Sequence, residues 1–267
     1  MLQRLTSEPR FHSMEPFGVV VTAAHRGDVL ESLPTEQVRE LTWRHRVTVL
    51  RGFAPKTKAD FEAYCRQWGE LLEWPFGYVL ELQAHEDPQN YLFTHGNVPF
   101  HWDGAFAATE PSFLVFQCLR APAPEAGGQS LFSDTTRMLA AASREERATW
   151  ERIEIEYRTE KVAHYGGSCR SALVKRHAHT GEEVLRFAEP LNEGSSQLNP
   201  IELAVEGVAS QEAFLADFMP RLYSPDWCYS HQWRQGDFLV VDNRALLHGR
   251  HAYSKSTERH LQRVHIL

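Results

Sequence analysis

The run Trp227-Cys-Tyr-Ser-His-Gln-Trp-Arg-Gln-Gly-Asp-Phe-Leu-Val-Val-Asp242 decides the fold. It reads as two short strands, Trp227 to Trp233 and Asp237 to Asp242, joined by a turn at Gln235-Gly236. Segments of the same character flank it. Arg259 to Ile266 closes the chain as a strand, and Tyr78 to Gln83, Ser112 to Leu119, Gln129 to Ser133 and Ile153 to Arg158 precede it. Ala172 to His179 and Glu182 to Ala188 flank Thr180-Gly181 and read as a hairpin. Helices interrupt at Thr135 to Ala142, at Arg144 to Ile153 behind a Ser143/Glu146 capping box, and from Ser210 to about Leu222. The opening is mixed: a strand at Phe17 to Ala23, a helix at Pro34 to Arg46 and a strand at Val47 to Phe53. A second helix, capped by Thr57, sets Phe61, Tyr64, Cys65 and Trp68 on one face and stops at Gly69. Many short strands with turn residues between them predict an α+β, mainly β chain: an antiparallel sandwich or barrel with helices outside. No linker divides it, so one domain over residues 1–267 is expected.

Composition narrows the function classes. A net charge of −7 argues against nucleic acid and anionic membranes as partners. No apolar run is long enough to span a bilayer, and Met1 to Val21 lacks the apolar core of a secretion signal. Cys65, Cys118, Cys169 and Cys228 are scattered without CxxC spacing, which fits reduced thiols and a cytoplasmic location. A small-molecule substrate is the expected partner, and a homo-oligomer is compatible.

The strongest chemical signal is Phe100-His101-Trp102-Asp103-Gly104. On an extended strand, residues i and i+2 share a face, so His101 and Asp103 project together with Trp102 turned away. His248, where a strand runs into a turn, is the best third ligand. Two His and one carboxylate leave half of an octahedral metal open, which suits non-haem iron(II). Structural zinc would want four ligands, commonly with Cys. With 14 His in the chain, a chance HxD is easy to find. Downstream, Arg259, Leu261, Arg263 and His265 alternate on one strand face. Two arginines facing an interior need anions, and a dicarboxylate held by a guanidinium fork supplies one. The same arginines also fit a solvated edge.

These motifs resemble the taurine/2,4-D dioxygenase (TauD/TfdA) family. The resemblance rests on His101-x-Asp103, on Gly127 to Asp134, on Gly236 to Arg244 with His248, and on Arg259 with Arg263, in family order along most of the chain. It implies a double-stranded β-helix (jelly-roll) core with flanking helices, an Fe(II) site, 2-oxoglutarate as cosubstrate and O2 as oxidant. It implies that His101, Asp103 and His248 hold the metal and that Arg259, eleven residues after His248, binds the distal carboxylate of 2-oxoglutarate. Ser130 stands where the family often has Thr and keeps the hydroxyl. Arg263 matches an arginine that in some members of the family meets an anionic group of the substrate. No catalytic side chain beyond the metal ligands is implied.

Trp74 replaces a histidine of the taurine-specific pattern, which speaks against a sulfonate. Trp74, Tyr78 and Phe106 suit an aromatic or apolar substrate, although aromatics also build ordinary cores. The stretch Tyr91 to Phe106 is most similar to the bacterial isocyanide-pathway branch. That implies oxidation at an unactivated or benzylic C–H of a small carboxylate-bearing substrate, including formation of a vinyl isocyanide from an isocyano-tyrosine derivative. Hydroxylation of another organic acid or amino acid, a cupin-like metal enzyme without 2-oxoglutarate, and a non-catalytic metal-binding jelly roll are the alternatives. His164 to Arg170, with its paired glycines, is a candidate lid or a plain surface loop.

Overall fold

The computed structural model describes residues 8–162, 165–191, 198 and 200–267. The chain opens with β1 (Arg10–Ser13), β2 (Val19–Thr22), α1 (Thr35–His45), β3 (Val47–Arg51) and α2 (Lys58–Arg66). β4 (Leu80–Leu82), β5 (Val98–His101), β6 (Phe113–Arg120) and β7 (Ser130–Asp134) follow. Two short helices, α3 (Thr135–Ala141) and α4 (Arg144–Trp150), precede β8 (Glu154–Val162), β9 (Tyr165–Ala172), β10 (Val174–Arg176), β11 (Glu183–Leu185) and β12 (Glu202–Glu206). α5 (Gln211–Arg221) leads into β13 (Cys228–His231), β14 (Phe238–Asp242), β15 (Leu246–Arg250) and β16 (His260–Ile266).

The helix starts follow from side chains that satisfy otherwise orphaned backbone N–H groups. Thr57 accepts from Asp60 N at the start of α2, and Ser210 accepts from Ala213 N at α5. Ser143 and Glu146 close a full capping box on α4. The segment read as a candidate lid or surface loop is a paired strand: β9 runs antiparallel to β8, while His164 lies outside the described residues.

Hydrogen bonding sorts the strands into four sheets. The largest has the order β1-β2-β3-β14-β6-β16-β4, antiparallel except for the β2–β3 pair. The second is β13-β7-β15-β5, and smaller sheets are formed by β12-β8-β9 and β10-β11. This corrects the expected double-stranded β-helix (jelly-roll) core. Every sheet is open: β1 and β4 remain edges of the first and β13 and β5 of the second, and no pairing among the described residues joins edge to edge. The reason is physical. Alternation in a sequence fixes which face of a strand is buried, but closure depends on which distant edges exchange backbone hydrogen bonds.

Three apolar clusters hold the sheets. One lies between the seven-stranded sheet and helices α1 and α2, with Val38, Phe61 and Trp68 against Val115, Phe238 and Val264. A second joins the two larger sheets, with Leu80, Phe116 and Leu261 meeting Phe132, Trp233 and Leu246. The third packs Phe100, Trp102 and Leu131 against Tyr157, Trp150 and Phe218 from the helical side. The site described next lies where β5, β7 and β15 meet β16.

Candidate metal centre

Strand register brings the two histidines together. β15 pairs antiparallel with β5 so that His248 stands directly opposite His101. Side chains of opposed residues lie on one face, and the two imidazole centroids are 4.2 Å apart. The register shifts between His248 and Arg250, and Gly249 sits at the shift. A Cβ there would fall 2.7 Å from Val98 O, so the close approach needs glycine.

Asp103 lies two residues beyond the end of β5, in a turn, whereas the sequence reading kept it on the strand. The buried Asn243 amide clamps it. Asp103 N donates to Asn243 Oδ1 (3.1 Å), and Asn243 Nδ2 donates to Asp103 O (2.9 Å) and Pro111 O (2.8 Å). Gly104 then turns the chain with φ +96°.

One ligand atom each from His101, Asp103 and His248 lies within 4.8 Å of the others. Asp103 Oδ1 is 3.5 Å from His101 Nε2, and Oδ2 is 3.7 Å from His248 Nε2. His101 Nδ1 donates to Pro99 O (2.9 Å), which leaves the Nε2 lone pair for the centre. His248 Nε2 is buried with no hydrogen-bond partner. Burial and the neighbouring His101 hold the His248 imidazole well below its usual range, so it is neutral. Burial alone would raise the Asp103 carboxyl, but the Arg263 guanidinium, with a hydrogen bond from His265, holds it well below the usual carboxylate range. Two imidazoles and one ionised carboxylate are the donor set that iron(II) fits, and a cation at this point would give the orphaned His248 Nε2 a partner.

A cavity of about 40 Å³ opens beside the triad, lined among others by His101, Ser130, His248, Arg250, Arg259 and Arg263. Clefts of about 560 and 810 Å³ lie elsewhere, and the first shares Arg259 with the cavity. Arg259 is 5% exposed. Its Nε donates to Gly128 O (2.9 Å) and its Nη2 to Ser130 Oγ (3.3 Å), and it makes no ion pair with a carboxylate of the described residues. Burial, reinforced by Arg250, pushes it down to about 9. Ser130 Oγ also accepts from Trp233 Nε1 (3.0 Å), so its own proton is free to be donated.

The remaining predicted positions divide. Arg263 Nη1 sits 2.7 Å from Asp103 Oδ2, and its Nε is buried without a partner. Trp74 donates from Nε1 to His265 Nδ1 (3.1 Å). Phe106 packs beside the cluster containing Phe100 and Trp102. Tyr78 packs toward the α2 side, with Arg66 Cζ 4.2 Å from its ring. Sequence reading gave no role to Arg250, Asn243 and His265. Arg250 donates to Leu92 O (3.0 Å), Thr94 O (2.8 Å) and Gly96 O (2.8 Å) and pins the segment before β5. Its signal was its place in His248-Gly-Arg250. The signal of His265 was the alternation it shares with Arg259 and Arg263.

A sequence profile of the "Taurine catabolism dioxygenase TauD, TfdA family" matches residues 13–265. The chain is 50% identical over 257 residues to the 3-((Z)-2-isocyanoethenyl)-1H-indole synthase of Fischerella ambigua, covering 96% of this chain and 94% of that one. It is 38% identical over 254 residues to the tyrosine isonitrile desaturase of Pseudomonas aeruginosa, covering 94% and 87%. The crystal structure of PvcB from Pseudomonas aeruginosa superposes with a TM-score of 0.82 at 33% identity, over all of this chain and 94% of that one. The chain therefore belongs to the TauD, TfdA family and is an Fe(II)- and 2-oxoglutarate-dependent dioxygenase.

Proposed function

We propose that the chain oxidises the isocyanide of an aromatic α-amino acid at its benzylic carbon and releases an aryl vinyl isocyanide. One substrate, one 2-oxoglutarate and one O2 would give the vinyl isocyanide, succinate, two CO2 and one water. The benzylic hydrogen and the carboxyl proton end in water, and the electron pair of the broken C–CO2 bond closes the alkene. An indole ring is the first choice over a phenol, because 50% identity extends over nearly the whole length of a relative named for an indole product.

Iron(II), when bound, supplies the activation of dioxygen that makes hydrogen removal from such a carbon feasible. His101, Asp103 and His248 would hold it. The observation that carries the cosubstrate assignment is Arg259: a buried guanidinium beside the triad, without a carboxylate partner among the described residues. Placing that charge away from water is costly unless an anion meets it, and the distal carboxylate of 2-oxoglutarate is that anion. Ser130 would donate its free proton to the same carboxylate. Arg263 would orient the substrate carboxylate through its unpartnered Nε while its Nη1 stays on Asp103. Trp74 and Phe106 would be the aromatic neighbours of the substrate ring, whereas Tyr78 packs toward α2, and the apolar walls exclude water. We place this activity on one domain spanning the chain, in a reducing cytoplasm, in keeping with four free cysteines.

The test is turnover of the isocyanides of tryptophan and tyrosine with Fe(II), 2-oxoglutarate and air, followed by mass spectrometry. The expected product is lighter than the substrate by CO2 and two hydrogens, with the indole substrate preferred. A product heavier by one oxygen would replace this reading with hydroxylation.

A further inference from the structure

We infer that Trp74 and His265 form a fixed donor chain that holds the Asp103 carboxylate in its metal-facing orientation, both acting as positioning residues. The inference rests on the ligand set proposed above. Trp74 Nε1 lies 3.1 Å from His265 Nδ1, and His265 Nε2 lies 2.9 Å from Asp103 Oδ2. An indole N–H can only donate. His265 Nδ1 therefore accepts, the ring proton sits on Nε2, and Nε2 donates to Asp103. A doubly protonated ring would set two N–H groups against each other. The arrangement thus selects one tautomer of the neutral imidazole.

Both ends of the chain are built into the fold. His265 is fully buried in β16, opposite Leu114 of β6. Trp74 begins a turn closed by two backbone hydrogen bonds with Gly77, at 3.1 and 2.9 Å. Leu72 N donates to His265 O (3.0 Å), and Leu71 bridges Ile266. The residue whose ring meets the indole thus also tethers, through its backbone, the segment that carries it.

Asp103 Oδ2 receives a second donor, Arg263 Nη1, at 2.7 Å. Two donors on one oxygen fix the rotation of the carboxylate and leave Oδ1 beside His101 Nε2. Without the imidazole, Oδ2 keeps only the guanidinium, which the substrate carboxylate also attracts in the reading above. The carboxylate is then free to turn.

The test titrates the metal-free full chain with Co(II) alone, and anaerobically with Fe(II) alone. Visible absorption reads Co(II) binding, equilibrium dialysis reads Fe(II) binding, and circular dichroism checks the fold. His265→Phe should weaken Co(II) binding by ~10–100-fold, the usual consequence of removing a partner of a metal ligand. His265→Gln, whose amide nitrogen can donate from the Nε2 position, should recover most of that loss. Trp74→Phe removes only the N–H that sets the tautomer and should weaken binding less than His265→Phe. Wild-type affinity in His265→Phe, or equal losses for Phe and Gln at this position, would overturn the inference. Should His265→Phe fail to fold, Trp74→Phe decides: affinity equal to wild type overturns it. A wild-type chain that binds neither metal would refute the ligand set itself, a different failure.

Discussion

Two buried regions treat arginine in opposite ways. At the end of α1, Arg46 reaches into the protein and its Nη2 meets both oxygens of Glu182, at 2.6 and 2.7 Å. Asp134 and Asp242 lie 4.0 and 3.7 Å from its other nitrogens. Burial would lower the Arg46 guanidinium, but these three acids raise it above its ordinary range. At the cavity, Arg259 has a carbonyl, a hydroxyl and the Tyr253 ring, 5.9 Å from its Cζ, but no acid among the described residues, and it is pushed down to about 9. The first region is electrostatically complete within the chain. The second has no acid among the described residues, and the distal carboxylate of 2-oxoglutarate, as proposed above, would complete it. A buried charge that the fold leaves uncompensated is a better guide to function than one it satisfies.

The comparison breaks if the two arginines respond alike to removal. Arg46→Met removes the cation that Asp134, Glu182 and Asp242 share, leaving Asp134 only the half-exposed Arg137, 3.5 Å away. We expect a loss of about 3–5 kcal/mol of stability, read by urea denaturation, with the affinity for 2-oxoglutarate unchanged. Arg259→Ala should do the reverse. Removing a charge-assisted contact of about 1.5–3 kcal/mol should weaken 2-oxoglutarate by ~10–100-fold, read as the cosubstrate KM, with little loss of stability. Equal stability losses and equal KM values in the two variants would erase the distinction.

A smaller effect sharpens it. His231 in β13, beside the strand that carries Ser130, is buried and neutral. Burial, reinforced by Arg51, Arg234 and Arg259, lowers it to about 3. In the unfolded chain the ring returns to about 6.5. Between those values the unfolded state binds more protons, so stability rises with pH and is lost as pH falls from about 6.5. The slope from this one ring reaches about 1.4 kcal/mol per pH unit. His231→Phe should flatten the fall in urea midpoint between about pH 7 and pH 5.5, and an unchanged slope would remove this ring from the account.

Much of this arrangement was legible in local pattern. The caps at Thr57, Ser143 and Ser210 and the strands at Val47 to Arg51 and Phe113 to Arg120 needed only neighbours in sequence to be read. β1 escaped because all four of its residues are exposed and carry no apolar alternation, and β12 is short with no fully buried residue. The open sheets were illegible for another reason: pairing such as β14 with both β3 and β6 is long-range and leaves no mark on periodicity. At the site, His101, Asp103 and His248 announced themselves by type and spacing, and register then set His248 opposite His101. The Asn243 clamp, the Arg250 tether and the Trp74–His265 contact were hidden, because each depends on which distant side chain arrives beside it.

The central claim is that His101, Asp103 and His248 hold one iron(II) on which 2-oxoglutarate chelates while Arg259 grips its far end. Anaerobic addition of Fe(II) and then 2-oxoglutarate, followed by visible absorption, tests it most directly. The account predicts a charge-transfer band in the wild type, a band requiring far more 2-oxoglutarate in Arg259→Ala, and none in His248→Ala. A folded wild-type chain that shows no band, or a His248→Ala variant that shows a normal one, would contradict it.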